Sequence, residues 1–129
     1  MNSEMRQEGE QERREYRFDH ERLDVYRLIL EYLAFLVEQE RAFPAGAAGV
    51  RDHLDRAGDS MLLNFSEGNG KQRGSRDRAR YLRTARGSAG ESAAGWDILR
   101  VRGFSPVPAC ERAKAMLGRI AAMLSGLGA

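Results

Sequence analysis

Apolar side chains recur every three or four residues in four segments of this chain, and nowhere do they alternate with polar ones. A period near 3.6 puts such side chains on one face of an α-helix, whereas a half-buried strand needs a period of two. The segments are parted by Phe43-Pro44-Ala45-Gly46, Gly68-Asn69-Gly70 and Gly103-Phe104. Short breakers between long amphipathic helices make sequence neighbours pack side by side. The pattern therefore predicts an all-α, up-down-up-down four-helix bundle. A chain of 129 residues supports one such core and not two.

The first helix is expected from His20 to about Arg41, capped by Asp19, with Phe18 and Leu23 as a hydrophobic staple. Its core stripe reads Leu23, Tyr26, Leu30, Leu33 and Val37, widened by Ile29 and Leu36. The second runs from about Ala47 to Glu67 on Val50, Leu54, Ala57, Met61 and Phe65, and stops where a glycine of the 68–70 turn takes a left-handed cap. Ser75 is the expected N-cap of a third helix ending near Val101, with Asp77 suiting its positive end and Leu82, Ala85, Ala89, Ala93 and Trp96 facing inward. Ser105-Pro106 opens the fourth helix, whose apolar edge is Ala113, Met116, Ile120, Leu124 and Leu127. Residues 1–17 hold only Met5 and Tyr16 as large apolar side chains, too little to offset the entropy of ordering. They read as a charged, frayed arm before a bundle domain of residues 18–129.

Gly87, Gly90 and Gly95 lie inside the third helix, where each costs about 1 kcal/mol relative to alanine. Close approach of a neighbouring helix is the expected compensation; a loop at 87–90 that splits the helix is the alternative.

Several chemistries fail on spacing. Neither His20 nor His53 follows a glutamate by three residues, which a di-iron bundle requires, and Asp52, His53 and Asp55 read as a solvated face, so no metal is assigned. A single cysteine, Cys110, excludes an internal disulfide; lacking a positioned histidine, it reads as buried and inert. Gly68 through Ser75 is not a phosphate loop: Phe65 stands where the Walker pattern needs glycine, and Gln72 where it needs Ser or Thr. No run approaches the ~20 apolar residues of a membrane span, and no signal-peptide core is present. A cytoplasmic, cofactor-free protein is the expectation. Asn64 and Glu67 on the second helix, with Ser88 and Glu91 on the third, repeat one spacing. Paired carboxylates can perform acid–base work or serve as polar struts that accept bonds from arginines such as Arg86; without a nucleophile the structural role is favoured.

Net charge is only +2, yet residues 71–86 alone carry +6, while residues 23–70 carry −4. The cations are 19 arginines and two lysines. At 100° per residue, Arg76, Arg80 and Arg83 share one outward helical face, with Lys71 and Arg73 on the preceding turn and Arg78 nearer the core edge. Arginine's planar fork suits phosphate. An acidic face of a partner subunit and plain solvent are the competing targets. Tyr81 alone supplies aromatic character here, so base stacking on single strands is not supported.

The run Ser60-Met61-Leu62-Leu63-Asn64-Phe65-Ser66-Glu67-Gly68 resembles the Ser-apolar-x-x-Asn-Ile-Ala-Glu-Gly helix end of the bacterial 23S rRNA intervening sequence proteins. Ala85-Arg86-Gly87-Ser88-Ala89-Gly90-Glu91 resembles that family's Ala-x-Gly-Ser-x-x-Glu block, and Phe18–Tyr26 and Phe43-Pro44 resemble its first helix and connection. The resemblance covers about residues 18–127. It departs at Phe65-Ser66, where Ile-Ala is usual, and at the unusually small Gly90. The resemblance implies a self-associating four-helix bundle, most often a ring-shaped homopentamer. It also implies kinship with accessory proteins of diversity-generating retroelements, which bind nucleic acid and a reverse transcriptase. It carries no catalytic residues. Asn64, Glu67, Gly68, Gly87, Ser88 and Glu91 enter as signature positions of structural or subunit-contact role.

Together these readings favour a non-enzymatic oligomer that binds RNA or DNA through Lys71, Arg73, Arg76, Arg80 and Arg83. The alternative is a scaffold or adaptor for another protein, with the arginine row spent on subunit contacts.

Overall fold

The computed structural model describes residues 23–129. Among them are four α-helices, α1 (Asp24–Glu40), α2 (Ala48–Asn69), α3 (Arg76–Val101) and α4 (Val107–Gly126), with a 3-10 turn at Ala45–Ala47 and no strand. The arm of residues 1–17, the Asp19 cap and the Phe18 half of the staple lie outside the described residues. Leu23 is extended (φ −79°, ψ 139°), so α1 starts at Asp24 and does not run on unbroken from His20.

Contacts between consecutive helices advance in opposite directions along the two partners, which makes each pair antiparallel. Along α1 and α2, Tyr26 meets Phe65, the Leu33 side chain reaches Gly58, and Glu40 meets Arg51. Along α2 and α3, Ser60 meets Ser88 and Gly68 meets Arg78. Along α3 and α4, Arg86 meets Ser125 and Asp97 meets Lys114. The most extensive packing is α2 on α3, followed by α3 on α4. Trp96 of α3 is fully buried at the centre, its indole N–H donating to Tyr32 Oη of α1 at 3.0 Å, with Phe35 and Phe43 against its ring. That bond satisfies two polar groups that would otherwise be stranded in the core.

The core stripes expected of α2, α3 and α4 are buried, with Ala93 and Leu127 at their margins. The stripe expected of α1 is corrected. Val25, Leu28, Ile29, Tyr32, Phe35 and Leu36 face inward, Leu23, Tyr26 and Leu33 sit at the edge, and Leu30 and Val37 point outward at 42% and 55% exposure. Both rows obey the same three-four spacing, because α1 is apolar around most of its circumference.

The ends of the helices bring further corrections. Gly70, which caps α2, is right-handed (φ −78°); the left-handed glycine of this turn is Gly74 (φ 79°), immediately before the Ser75 cap. Gly68 is small for a different reason: an added Cβ would lie 3.0 Å from Tyr81 Cβ and 3.3 Å from the Arg78 carbonyl oxygen. At α4, Pro106 occupies the N-cap position and Pro108 the first turn, so Ser105 is not the cap. Ser105 is buried; its carbonyl accepts the Cys110 thiol at 3.8 Å, and its hydroxyl has no hydrogen-bond partner among the described residues.

Helix α3 is continuous through its glycines, so no loop splits it at 87–90. Close approach explains only Gly95, where an added Cβ would stand 2.7 Å from Leu54 Cδ2 and 3.1 Å from Cγ. Gly87 and Gly90 are exposed and open, with nothing within 4 Å of an added Cβ.

Glu40 is the one buried carboxylate among the described residues, bonded by Arg51 Nε at 2.6 Å. Burial pushes its carboxyl above the ordinary range, the facing Asp55 carboxyl adds to that, and Arg51 pulls the other way.

Two outcomes follow from this packing. Gly95→Ala should lose about 1–3 kcal/mol, because the added methyl group would overlap Leu54, a buried side chain that must shift within the core. Gly87→Ala and Gly90→Ala should each gain up to about 1 kcal/mol of helix stability; denaturant midpoints of the three variants check the order. Glu40 binds its proton more tightly when folded than unfolded, so its contribution is fully present below pH ~4.3 and is lost as pH rises through the folded value. Relative to wild type, Glu40→Gln should therefore become progressively more stable as pH rises above about 4.3 in pH-dependent melts.

Candidate nucleic-acid interface

The turn between α2 and α3 aims the basic block. Ser75 Oγ accepts the Arg78 backbone N–H at 3.1 Å and so starts α3, as its spacing from the arginines predicts. Asp77 stands in the first turn. Arg78 folds back to the end of α2, where its Nη1 lies 3.4 Å from both the Gly68 and Asn69 carbonyl oxygens. It caps a helix end and is half-buried, consistent with its place at the core edge. Leu82, Ala85 and Ala89 anchor the opposite side of α3 in the core, so Arg76, Arg80 and Arg83 are exposed along the outer face.

The five cations expected to form one site divide into two sets. Lys71 Nζ lies 3.3 Å from Glu67 Oε1 and 3.7 Å from Asp77 Oδ2, and Arg80 Nη2 donates to Asp77 Oδ1 at 2.8 Å. Both also lie over the Tyr81 ring, the Arg80 guanidinium carbon 4.3 Å and Lys71 Nζ 5.6 Å from its centroid. The bonded Arg80 holds the Asp77 carboxyl below the usual carboxylate range, and Glu67 raises Lys71. Arg73, Arg76 and Arg83 are exposed and carry no ion pair among the described residues.

The signature positions divide as well. Asn64 Nδ2 donates to the Ser60 carbonyl at 2.8 Å and approaches Ser60 Oγ at 3.0 Å. Ser88 Oγ lies 2.9 Å from Ser60 Oγ and 3.1 Å from the Thr84 carbonyl oxygen, to which it donates. Ser60 is therefore the hub joining Asn64 to Ser88. Ser60 opens the family-like motif one turn before Asn64, but its role as the joint to Ser88 is not among the expectations drawn from the sequence. Glu67 and Glu91 are not brought together. Glu67 belongs to the Lys71 pair, whereas Glu91 lines a shallow groove of about 290 Å³ with His53, Arg56, Ala57 and Ser60. In the antiparallel register Glu91 stands near residue 57, roughly 15 Å of helix rise from Glu67. Arg86 does not serve the carboxylates either: its Nη1 donates to Ser125 Oγ and the Ala129 carbonyl at the end of α4.

Among the described residues no three His, Cys, Asp or Glu side chains gather as metal ligands, and no helix is long and apolar enough to cross a membrane. Cys110 is buried, and burial pushes its thiol up, away from the reactive thiolate.

Beyond the arginines, the outer face of α3 continues through Gly87, Gly90 and Ala94 to Ile98 and Val101, which are 41% and 74% exposed. Carrying the helical wheel past Arg83 would have found this apolar end. The chain matches the family model described as 23S rRNA-intervening sequence protein over residues 21–126. No curated protein matches it in sequence.

Proposed function

The chain belongs to the 23S rRNA-intervening sequence protein family, and from that premise we propose that it is a non-enzymatic, oligomeric nucleic-acid-binding protein of the cytoplasm. Its protomer is an up-down-up-down bundle, supported by the antiparallel pairing of each consecutive helix pair. The observation that carries the reading is the exposed set Arg73, Arg76 and Arg83, cations that carry no ion pair among the described residues, beside a helix end. From Arg76 to Arg83 the row spans about 10 Å, about three nucleotide steps of one duplex strand. One protomer thus neutralises about three phosphates, a weak contact that repetition around a ring strengthens by avidity.

The rest of the outer face of α3 suits a second copy. Gly87 and Gly90 let a helix approach closely, and Ile98 and Val101 offer apolar contact. The outward row of α1, Leu30, Ala34 and Val37 with Glu31 and Glu38 along one side of it, is a matching surface elsewhere on the molecule. Pairing α1 of one copy with α3 of the next is heterologous, the kind of contact that closes into rings, and a homopentamer is our proposed assembly. The same acidic flank favours a second reading, a scaffold for another protein in which Glu31 and Glu38 of a neighbour engage the arginine row.

Fluorescence anisotropy with labelled RNA and DNA duplexes separates the two. At least three contacts per engaged protomer give a log–log salt slope of about −2.7 or steeper and at least roughly 40-fold weaker binding at 200 than at 50 mM salt. The combined variant Arg76→Gln, Arg80→Gln, Arg83→Gln should lose at least 10-fold in affinity while keeping its mass in light scattering. Wild-type binding by that variant would refute the site; loss of the oligomer would favour the scaffold reading. Ile98→Asp with Val101→Asp should instead dissociate the oligomer in light scattering while helical circular dichroism persists.

A further inference from the structure

We propose that Asp77, assisted by Glu67, is a built-in competitor for the nucleic acid, holding Lys71 and Arg80 away from the phosphate site until a polyanion displaces it. This rests on the reading of α3 as a phosphate-binding face and concerns how that face is regulated. Asp77 uses both carboxylate oxygens on the two cations, Oδ1 on Arg80 at 2.8 Å and Oδ2 toward Lys71 at 3.7 Å. Glu67, at the end of α2, holds Lys71 from its other side at 3.3 Å.

The Tyr81 ring is the floor on which both cations lie. Its Cβ packs against Gly68, where an added methyl group would stand 3.0 Å away, so this part of α3 sits tightly on the end of α2. The two cations are thereby laid against the turn and directed at Asp77, while Arg73, Arg76 and Arg83 remain unpaired among the described residues.

All these side chains are substantially exposed, and ion pairs of that kind are weak and screened by salt. A row of phosphates presents more charge than one carboxylate, and arginine binds it with two parallel bonds. Exchange of Asp77 for phosphate therefore needs only side-chain rotation about a fixed backbone. The result is a graded site: three cations meet the first phosphates, and two more join when Asp77 lets go. Single small anions, lacking the first three contacts in register, gain little from that exchange. Discrimination in favour of a polymer follows.

The test is anisotropy against the duplex bound by wild type, over 50–300 mM salt, with Asp77→Asn, Asp77→Ser and Asp52→Asn. Asp52 is exposed on α2 with no ion pair among the described residues, so its variant makes the same charge change elsewhere. Asp77→Asn and Asp77→Ser should bind at least fivefold tighter at 100 mM salt while keeping the salt slope of wild type, in whose complex Lys71 and Arg80 already meet phosphate. Asp52→Asn should change affinity less than twofold. Adding Lys71→Gln and Arg80→Gln to Asp77→Asn should abolish the gain and flatten the slope by up to about 1.8, the value for two phosphates. If both Asp77 variants match Asp52→Asn, while Arg76→Gln with Arg83→Gln still abolishes binding, the competitor is refuted and the phosphate face stands. If Arg76→Gln with Arg83→Gln binds as wild type does, the phosphate face itself falls. Melting curves exclude loss of fold, since Asp77 is exposed and its replacement removes nothing from the core.

Discussion

Small residues let α2 and α3 lie close along their whole length, and the rest of the molecule takes its positions from that seam. At one end Gly95 admits Leu54; in the middle Ser60 and Ser88 share a hydrogen bond; at the other end Gly68 admits Tyr81. Three tight contacts spaced along two rigid helices leave one register and one rotation for each. Rotation decides that Trp96 points to the centre, where it reaches Tyr32 of α1, and that Arg76 and Arg83 point to solvent. The signature residues Ser88 and Asn64 are thus parts of a register device. Ser60 binds them to each other.

The outer face of α3 is then a surface with two chemistries in line. Its first three turns are cationic and its last two apolar, joined by glycines that weaken the helix and at which an added Cβ would touch none of the described residues. Such glycines are not explained by packing within one chain, nor are Leu30 and Val37 on the outside of α1. A phosphate site at one end of the face and a subunit contact at the other accounts for all of these features without asking one arginine to do both tasks.

Much of the fold was legible in the sequence. Residues Val50 through Phe65 and Ala113 through Leu124 obey a single helical period, and their burial follows from it. Helix α1 was misjudged because Leu30 and Val37 fit that period as well as Leu28 and Phe35 do, and only the positions of neighbouring helices choose between the rows. The arginine row was legible for the same reason that α2 was, since direction around a helix follows from spacing. Its division into paired and unpaired cations was not. The bonds of Asp77 and Glu67 to Lys71 reach across a turn whose course depends on Gly74, and spacing alone does not give that course. The bond that makes Ser60 a hub was not legible either, because serine in mid-helix has many uses and its partner Ser88 is distant in sequence.

Cys110 lends the molecule a property beyond packing. It is the chain's sole thiol, it is fully enclosed, and its hydrogen is directed at the Ser105 carbonyl. A water-borne alkylating reagent reaches it only when the start of α4 comes away from the bundle. The rate of modification therefore measures how often that corner opens, and it does so without any added label. In an assembled ring the same sulfur distinguishes breathing of a protomer from exchange of whole subunits, because only the first exposes it.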